Sequence, residues 1–347
     1  MLNSTLNKTR NYFRCVGTFY ENGLKQEPCD IKLKDENGSV IGTTKGERIM
    51  GNIAVRTDNG ICTFNVYFQN LTAKNEPNQQ WKMATDMMNW TAEIGNTTEE
   101  SPTLVNIEGT VAINDYVGQD GEVKSGLRWS VRRANTKASP DETKGTSLNA
   151  VAYIKSIAPE VKRVGEDSEE TGRLNVALLG VDGNGSVFPI NALVEEALAS
   201  DFESVYEVGQ TVNFDFDLVV RHVGGVQNKK KAFGRGSSVT VNSGYDVSEL
   251  VIVGADEPIE EPEELTTIDD NGNEVEVKTQ WLNPKAINKA IKAREQMLEE
   301  LKNNPPEKKS SNNSFKDRKA QAQSRMSSTK KNNVPSFDDF GDDDDIF

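Results

Sequence analysis

Along the first 135 residues, short runs of strand-forming residues alternate with the turn dipeptides Asn22-Gly23, Asn37-Gly38 and Asn59-Gly60. Asn-Gly tolerates the positive φ angles of tight hairpins, so each pair predicts a hairpin turn. The clearest arm runs from Ile61 to Asn70. There Phe64, Val66 and Phe68 alternate with Asn65, Tyr67 and Gln69, the period of a strand buried on one face. From Pro77 to Trp90 the period changes: Trp81, Ala84, Met87 and Met88 recur at helical spacing and predict a helix of about three turns. Thr103 to Tyr116 and Val123 to Arg133 return to strand.

A polar stretch from Asn135 to Thr146, with Pro140 and Gly145, separates this block from a second one. Its strands are Ser147 to Ile157, Arg173 to Val181 and Ser186 to Ile190. Asn191 then stands as the N-cap of a helix through Ser200, with Leu193, Ala197 and Leu198 on its apolar side. In the next strand Val212, Phe214, Phe216, Leu218 and Val220 face one way, and Ser238 to Val253 closes the block. Three strands, a helix and two strands is the order of the OB-fold, a five-stranded Greek-key barrel. An SH3-like barrel or a small sandwich would produce similar runs. The order occurs at 147–253 and, with extra N-terminal strands, in 10–135, without a residue-level repeat between the two.

Beyond 254 the chain changes character. Glu257 to Glu264 is acidic and contains proline. Asn283-Pro284 reads as an N-cap followed by proline at the first helical position, and Ile287, Ile291, Met297, Leu298 and Leu301 form a thin apolar stripe behind it. Residues 306–336 hold almost nothing apolar, which predicts disorder. The chain is therefore read as mainly β: two OB-like barrels with one short helix each, then a helical segment and a disordered, acidic-tipped tail. The expected boundaries are an OB-like domain at 1–135, a linker at 136–146 and a second OB-like domain at 147–254. An acidic linker at 255–280, a helix at 281–304, a disordered linker at 305–336 and a tip at 337–347 follow.

Composition agrees with a part-folded chain, since only 35% of the 347 residues are hydrophobic. The net charge of −14 is segregated. Residues 255–278 hold ten acids and one base, residues 279–334 thirteen bases and five acids, and residues 335–347 six acids and no base. Charge in blocks leaves nucleic acid open as a partner despite the acidic sum.

Several classes drop out. No apolar run is long enough to span a bilayer, so no membrane is expected, and the N-terminus lacks the apolar core of a secretory signal. Three cysteines without CxxC spacing fit a reducing cytoplasm and neither a disulfide scaffold nor a zinc module. His222 is the one histidine, which argues against a histidine dyad or a His-rich metal site. Gly224-Gly225 and Gly234-x-Gly236 lack the lysine of a phosphate loop. Asp215 and Asp217 share a face that could meet Mg²⁺, but their alternation with Phe214 and Phe216 makes them the solvent side of a strand. Neither catalysis nor a cofactor is expected.

Single-strand binding needs aromatic faces for stacking and cations that follow the backbone. In the first block Arg128, Ser130 and Arg132 share one strand face, with Arg133 beside them, while Trp129 sides with Leu127 and Val131 as core. Tyr67 lies on the polar face of its strand, and Lys45 and Arg48 supply loop cations nearby. In the second block Lys229, Lys230, Lys231, Phe233 and Arg235 form the densest basic cluster. A charge run is usually a solvated loop. This one lies between the last two strands, where an OB-fold carries its L45 ligand loop, and it includes an aromatic ring.

The strongest local signal is the final stretch, Phe337 to Phe347, in which Asp342, Asp343, Asp344 and Asp345 precede Ile346 and Phe347. A ring that enters a pocket, a carboxylate that meets a base and acids that speed encounter make a compact recognition element. It resembles the C-terminal peptide of bacterial-type single-stranded DNA-binding proteins, which end in Asp-Asp-Asp-(Ile/Leu)-Pro-Phe after OB domains and a disordered linker. The proline is missing here, and the body is larger, as in phage-encoded members. The resemblance implies a protein that coats single-stranded DNA without sequence preference during replication, recombination and repair. It also implies recruitment of a polymerase, helicase or primase through the tip. Two other readings fit the same residues: an RNA-binding or transcription-regulating OB protein, and a structural or assembly protein with an acidic docking tail.

Overall fold

The computed structural model describes residues 6, 8–95, 100–118, 120–164, 167–182, 185–223, 226–229, 239–242, 245–262, 266–268, 274–276 and 279–303. The first block contains β1 (Asn11–Asn22), β2 (Lys25–Lys34), β3 (Val40–Thr57), β4 (Gly60–Gln69), α1 (Trp81–Met88), β5 (Leu104–Val117) and β6 (Val123–Asn135). β1 pairs antiparallel with β3 and β5, β3 with β4, and β5 with β6. β4 and β6 close the ring in parallel through Asn65 and Ser130. This is the Greek-key closure of an OB barrel, with α1 between its third and fourth strands.

The alternation of β4 explains the barrel's filling. Phe64, Val66 and Phe68 point inward, and Phe64 stacks on Phe13 with centroids 5.2 Å apart. Trp129 meets Phe13 edge-on at 5.2 Å, so its ring belongs to the core side of β6. Each such ring contributes about 1.5–3 kcal/mol by leaving water. Ala84 and Met87 are the buried face of α1.

Asn22-Gly23 departs from its expected role. β1 and β2 do not pair; both flank β3, and Gly23 N–H donates to the Asn52 carbonyl at 3.0 Å. The dipeptide turns the chain from a barrel strand into an added strand, β2, in the connection between the first and second barrel strands. Asn37-Gly38 and Asn59-Gly60 do form hairpin turns, with φ of 81° at Gly38 and 114° at Gly60.

The second block contains β7 (Gly145–Val164), β8 (Asp167–Val181), β9 (Val187–Val194), α2 (Glu196–Val205), β10 (Thr211–Val223), β11 (Val226–Lys229), β12 (Val239–Asn242) and β13 (Tyr245–Ala255). β7 pairs with β8 and β10, β8 with β9, and β10 with β13, while β9 and β13 close in parallel through Leu193 and Val251. The same barrel has formed again. Asn191 does not cap a helix. It sits inside β9 opposite Ala177, because Ile190, Ala192 and Val194 continue the inward alternation past it. That run of buried apolar positions overrides a polar residue's capping preference, and the helix begins at Glu196 without a side-chain cap bond.

The barrels are fused. β1 pairs with β7 as well, from Asn11↔Ala150 to Val16↔Gly145, so among the described residues eleven strands form one sheet. The β3–β4 turn also docks on β10, where Val220 N–H donates to the Asn59 carbonyl at 2.8 Å. A Cβ at Gly60 would lie 2.7 Å from Val220 Cβ, so both its φ and this approach require glycine.

Downstream, β14 (Thr266–Ile268) and β15 (Glu274–Glu276) pair within the acidic segment read as a linker. α3 (Pro284–Asn303) starts as its sequence predicts, with Asn283 Oδ1 accepting the Lys285 N–H at 2.9 Å. Leu282 and Ile287 pack, with Ile291, on Leu179, Val181 and Val187 of the second barrel. Farther along, Arg294 donates to both oxygens of Asp115 at 2.7 and 3.0 Å, and Lys302 pairs with Glu122 at 2.8 Å. The helix thus straps the second barrel to the β5–β6 turn of the first. Among the described residues no helix is long and apolar enough to cross a membrane.

Candidate nucleic-acid interface

The outward face of the first barrel assembles from register alone. Across β3 and β4, Met50 lies opposite Tyr67 and Asn52 opposite Asn65. Across β4 and β6, Asn65 lies level with Ser130. Tyr67 and Thr63 flank Asn65 on the same face of β4, and Arg128 and Arg132 flank Ser130 on the same face of β6. Tyr67 is 48% exposed, and Arg128 and Arg132 are exposed. A groove of about 570 Å³ continues the face across β2 and β3, where Lys25, Arg48, Met50 and Asn52 line it.

Arg132 and Arg133 are both exposed, although strict alternation would send one inward. A bulge is the reason. β5 pairs Glu108 with Arg133 and Gly109 with Val131, which leaves Arg132 as the extra residue of β6. Gly109 is required at that kink, since a Cβ there would lie 2.0 Å from the Ser130 carbonyl oxygen and 2.7 Å from the Phe13 ring. Arg132 Nε reaches Thr110 Oγ1 at 3.4 Å, and Glu108 takes a short hydrogen bond from the Tyr12 hydroxyl. Burial first, then Glu108, push the Tyr12 phenol up to about 12, so it stays a donor at any physiological pH.

Lys45 and Arg48 are not loop cations as their sequence suggests. Both lie within β3, because β2 supplies a partner strand that extends the sheet past the barrel. Lys45 pairs with Asp30 at 2.6 Å, and Arg48 Nε with Glu27 at 2.7 Å. Glu27 pushes Arg48 above its ordinary value, burial opposes this, and the Tyr67 hydroxyl adds to it. Among the described residues Arg128, Arg132 and Arg133 have no carboxylate within ion-pair distance, unlike Arg14, Arg48, Arg56, Arg173, Arg221 and Arg294. Their charge is not taken up by a neighbouring acid.

In the second barrel β10 and β13 are the fourth and fifth strands, so the connection between them occupies the L45 position. β11 and β12 pair within it, with Lys229 at the ladder's end opposite Val239. Lys230, Lys231, Phe233 and Arg235 lie outside the described residues, as do Asp342, Asp343, Asp344, Asp345, Ile346 and Phe347, and so does the expected disorder of 305–336. The outward residues Leu179, Val181 and Val187 on strands two and three of this barrel are covered by α3. The two barrels therefore present different faces.

No group of three or more His, Cys, Asp or Glu among the described residues could hold a metal ion. Cys15, Cys29 and Cys62 are free thiols, and burial pushes Cys15 up to about 12.

A protein-family model, YorF, matches residues 29–304, from β2 to just past α3. The chain belongs to the YorF family. No curated protein matches it. Among solved structures, the wild-type single-stranded DNA-binding protein from Thermus aquaticus is 11% identical over 74% of this YorF chain and 97% of its own, with a TM-score of 0.37. A deletion mutant of that protein is 13% identical over 74% and 99%, with a TM-score of 0.36. The functional reading rests instead on this YorF chain's own residues.

Sequence reasoning missed Met50, Asn52 and Asn65, which line up with Tyr67. The signal was available: in a hairpin turned at Asn59-Gly60, partners across the strands have constant index sums, so Tyr67 facing out implies Met50 facing out. The bulge at Arg132 has no comparable signal.

Proposed function

We propose that this YorF protein binds single-stranded DNA along the outward face of its first barrel without reading base sequence. The observation that carries the reading is one outward face on which exposed Tyr67 of β4 lies beside β6, where Asn65 is level with Ser130 and exposed Arg128 and Arg132 flank that serine. Stacking accepts any base, and arginines neutralise phosphates without selecting among them. The protein acts as a binder and not as an enzyme, which fits a sequence with a single histidine. Lys229, Lys230, Lys231, Phe233 and Arg235 extend the binding surface from the second barrel, and Lys45 and Arg133 flank the first. The acidic tip, Asp342 to Phe347, recruits replication, recombination or repair proteins. Its missing proline fits a phage-encoded member at work in the host cytoplasm.

The test is a titration with poly(dT) at several salt concentrations, with poly(rU) and duplex DNA as competitors. Replacing Arg128 and Arg132 together by alanine should weaken binding and reduce the log–log salt slope by about 0.7 for each phosphate left without its arginine. Tyr67→Ala should cost about 1–3 kcal/mol. An unchanged slope and unchanged affinity in these variants would remove the face from the site, and tighter binding of poly(rU) or duplex would overturn the choice of ligand. Deleting 337–347 should leave poly(dT) binding intact and abolish capture of a polymerase, helicase or primase from the same replication system.

A further inference from the structure

We propose that the cleft between the two barrels receives a nucleobase of the bound strand, which rests on the reading of the first barrel's face given above. The cleft has a volume of about 730 Å³, within the range of about 300–1,000 Å³ usual for small-ligand pockets. Leu127, Trp129 and Thr63 line it from the first barrel, and Asn191, Val220 and Ser248 from the second. An apolar wall beside hydroxyl and amide groups suits a flat ring with a polar edge.

Three features tie this cleft to the strand's path. Thr63 lines both the groove on the outward face and the cleft, so the two spaces adjoin at that residue. Arg128 is exposed and stands on β6 between Leu127 and Trp129, which both line the cleft. A phosphate held by Arg128 lies across β6 from these two side chains, one residue from each. On the far wall Val220 and Ser248 are paired in the β10–β13 ladder, three residues before β10 ends at Val223. Past that end begins the connection that carries Lys229 to Arg235. A strand that leaves Tyr67 and Arg132 by way of Arg128 therefore reaches the cleft before it reaches the root of the basic connection.

Such a pocket gives the strand a fixed point between two sequence-tolerant surfaces. It also assigns a role to the partly exposed side of Trp129, whose other side meets Phe13. Neither wall carries a charged side chain among Thr63, Leu127, Trp129, Asn191, Val220 and Ser248, so a neutral base fits there better than a phosphate.

The cleft can be filled without touching the outward arginines. Asn191→Trp and Ser248→Phe, both at exposed positions that line it, fill it from the second barrel. The probe is a dT oligonucleotide of about 20 nucleotides, together with a series carrying one abasic site at each position in turn. The unaltered protein should lose about tenfold in affinity at one abasic position on the cleft side of the nucleotide stacked on Tyr67. In each filled variant the intact oligonucleotide should bind about tenfold more weakly, and that abasic penalty should vanish because the base is already excluded. Thermal melting of both variants checks that they fold, and the two variants stand in for each other if one does not. Filled variants that bind the intact oligonucleotide like the unaltered protein, with the abasic penalty retained, overturn the cleft and leave the outward face standing. An unaltered protein that fails to bind the oligonucleotide overturns both.

Discussion

At Arg48 the surface of the first barrel already holds a competitor for phosphate. Glu27 occupies its guanidinium, whereas Arg128 and Arg132 meet no carboxylate among the described residues. An exposed pair of this kind contributes little to folding, at most about 1 kcal/mol, so removing the acid should cost little stability. Glu27→Gln should strengthen poly(dT) binding about two- to fivefold at low salt, with the gain fading as salt screens it. Titration by fluorescence at two salt concentrations checks this, and a weaker complex would show that Glu27 orients Arg48 for its ligand. Glu160 is a different case. Its carboxylate holds Arg173 at 2.7 and 2.8 Å, with Thr171 Oγ1 donating at 2.6 Å, and the two side chains are 11% and 7% exposed. The Arg173 hydrogen bonds hold the Glu160 carboxyl below its ordinary value of 4.5 against the opposing effect of burial. A lowered carboxyl stabilises the fold above that ordinary value, and the contribution is lost as pH falls through the lowered one. Glu160→Gln should therefore cost about 3 kcal/mol at neutral pH, and the gap from the unaltered protein should close on acidification. Urea unfolding of both proteins from pH 7 downward measures it.

Among the elements, α3 is held by two unlike ends. Its first turns are held by Ile287 and the preceding Leu282 in an apolar cluster, and its last turns by ion pairs of Arg294 and Lys302. Arg294→Ala should release the last turns alone. Hydrogen exchange at 295–303 should accelerate, while amides of β8 and β9 keep their protection; uniform acceleration would mean that the helix docks as one unit. The helix start was legible because Asn-Pro has one physical meaning there. The strands were legible where one side faces a core, as with Phe64, Val66 and Phe68. The end of β9 was not, because Asn191 obeys two rules and only the packed neighbours of Ala192 and Val194 choose between them. At the candidate site, Tyr67 and the Arg128–Arg132 face followed from a period of two. The outward turn of Arg133 did not, since it comes from a bulge forced by Gly109 opposite Phe13. Pairing of Lys45 and Arg48 with acids of β2 was equally hidden, because it depends on which strand β3 finds beyond the barrel.

For the whole molecule, the junction of the barrels decides what the parts can do together. Gly60 sits at a close approach within that junction, and Gly60→Ala should cost at least about 2 kcal/mol through its positive φ and the overlap with Val220. Calorimetry should show the two barrels still melting in one transition at a lower temperature; two resolved transitions would show that the β1–β7 ladder alone does not couple them. That ladder also has a mechanical meaning. Beads joined by a slack string can lie on a thread at many spacings, and their footprint lengthens or shortens with conditions. Two barrels that share a backbone ladder keep one spacing. On a single strand pulled between optical traps, each protein that engages both barrels should take up the same increment of contour length at low and high salt. Salt would then alter how many molecules are bound and leave the step size of each unchanged.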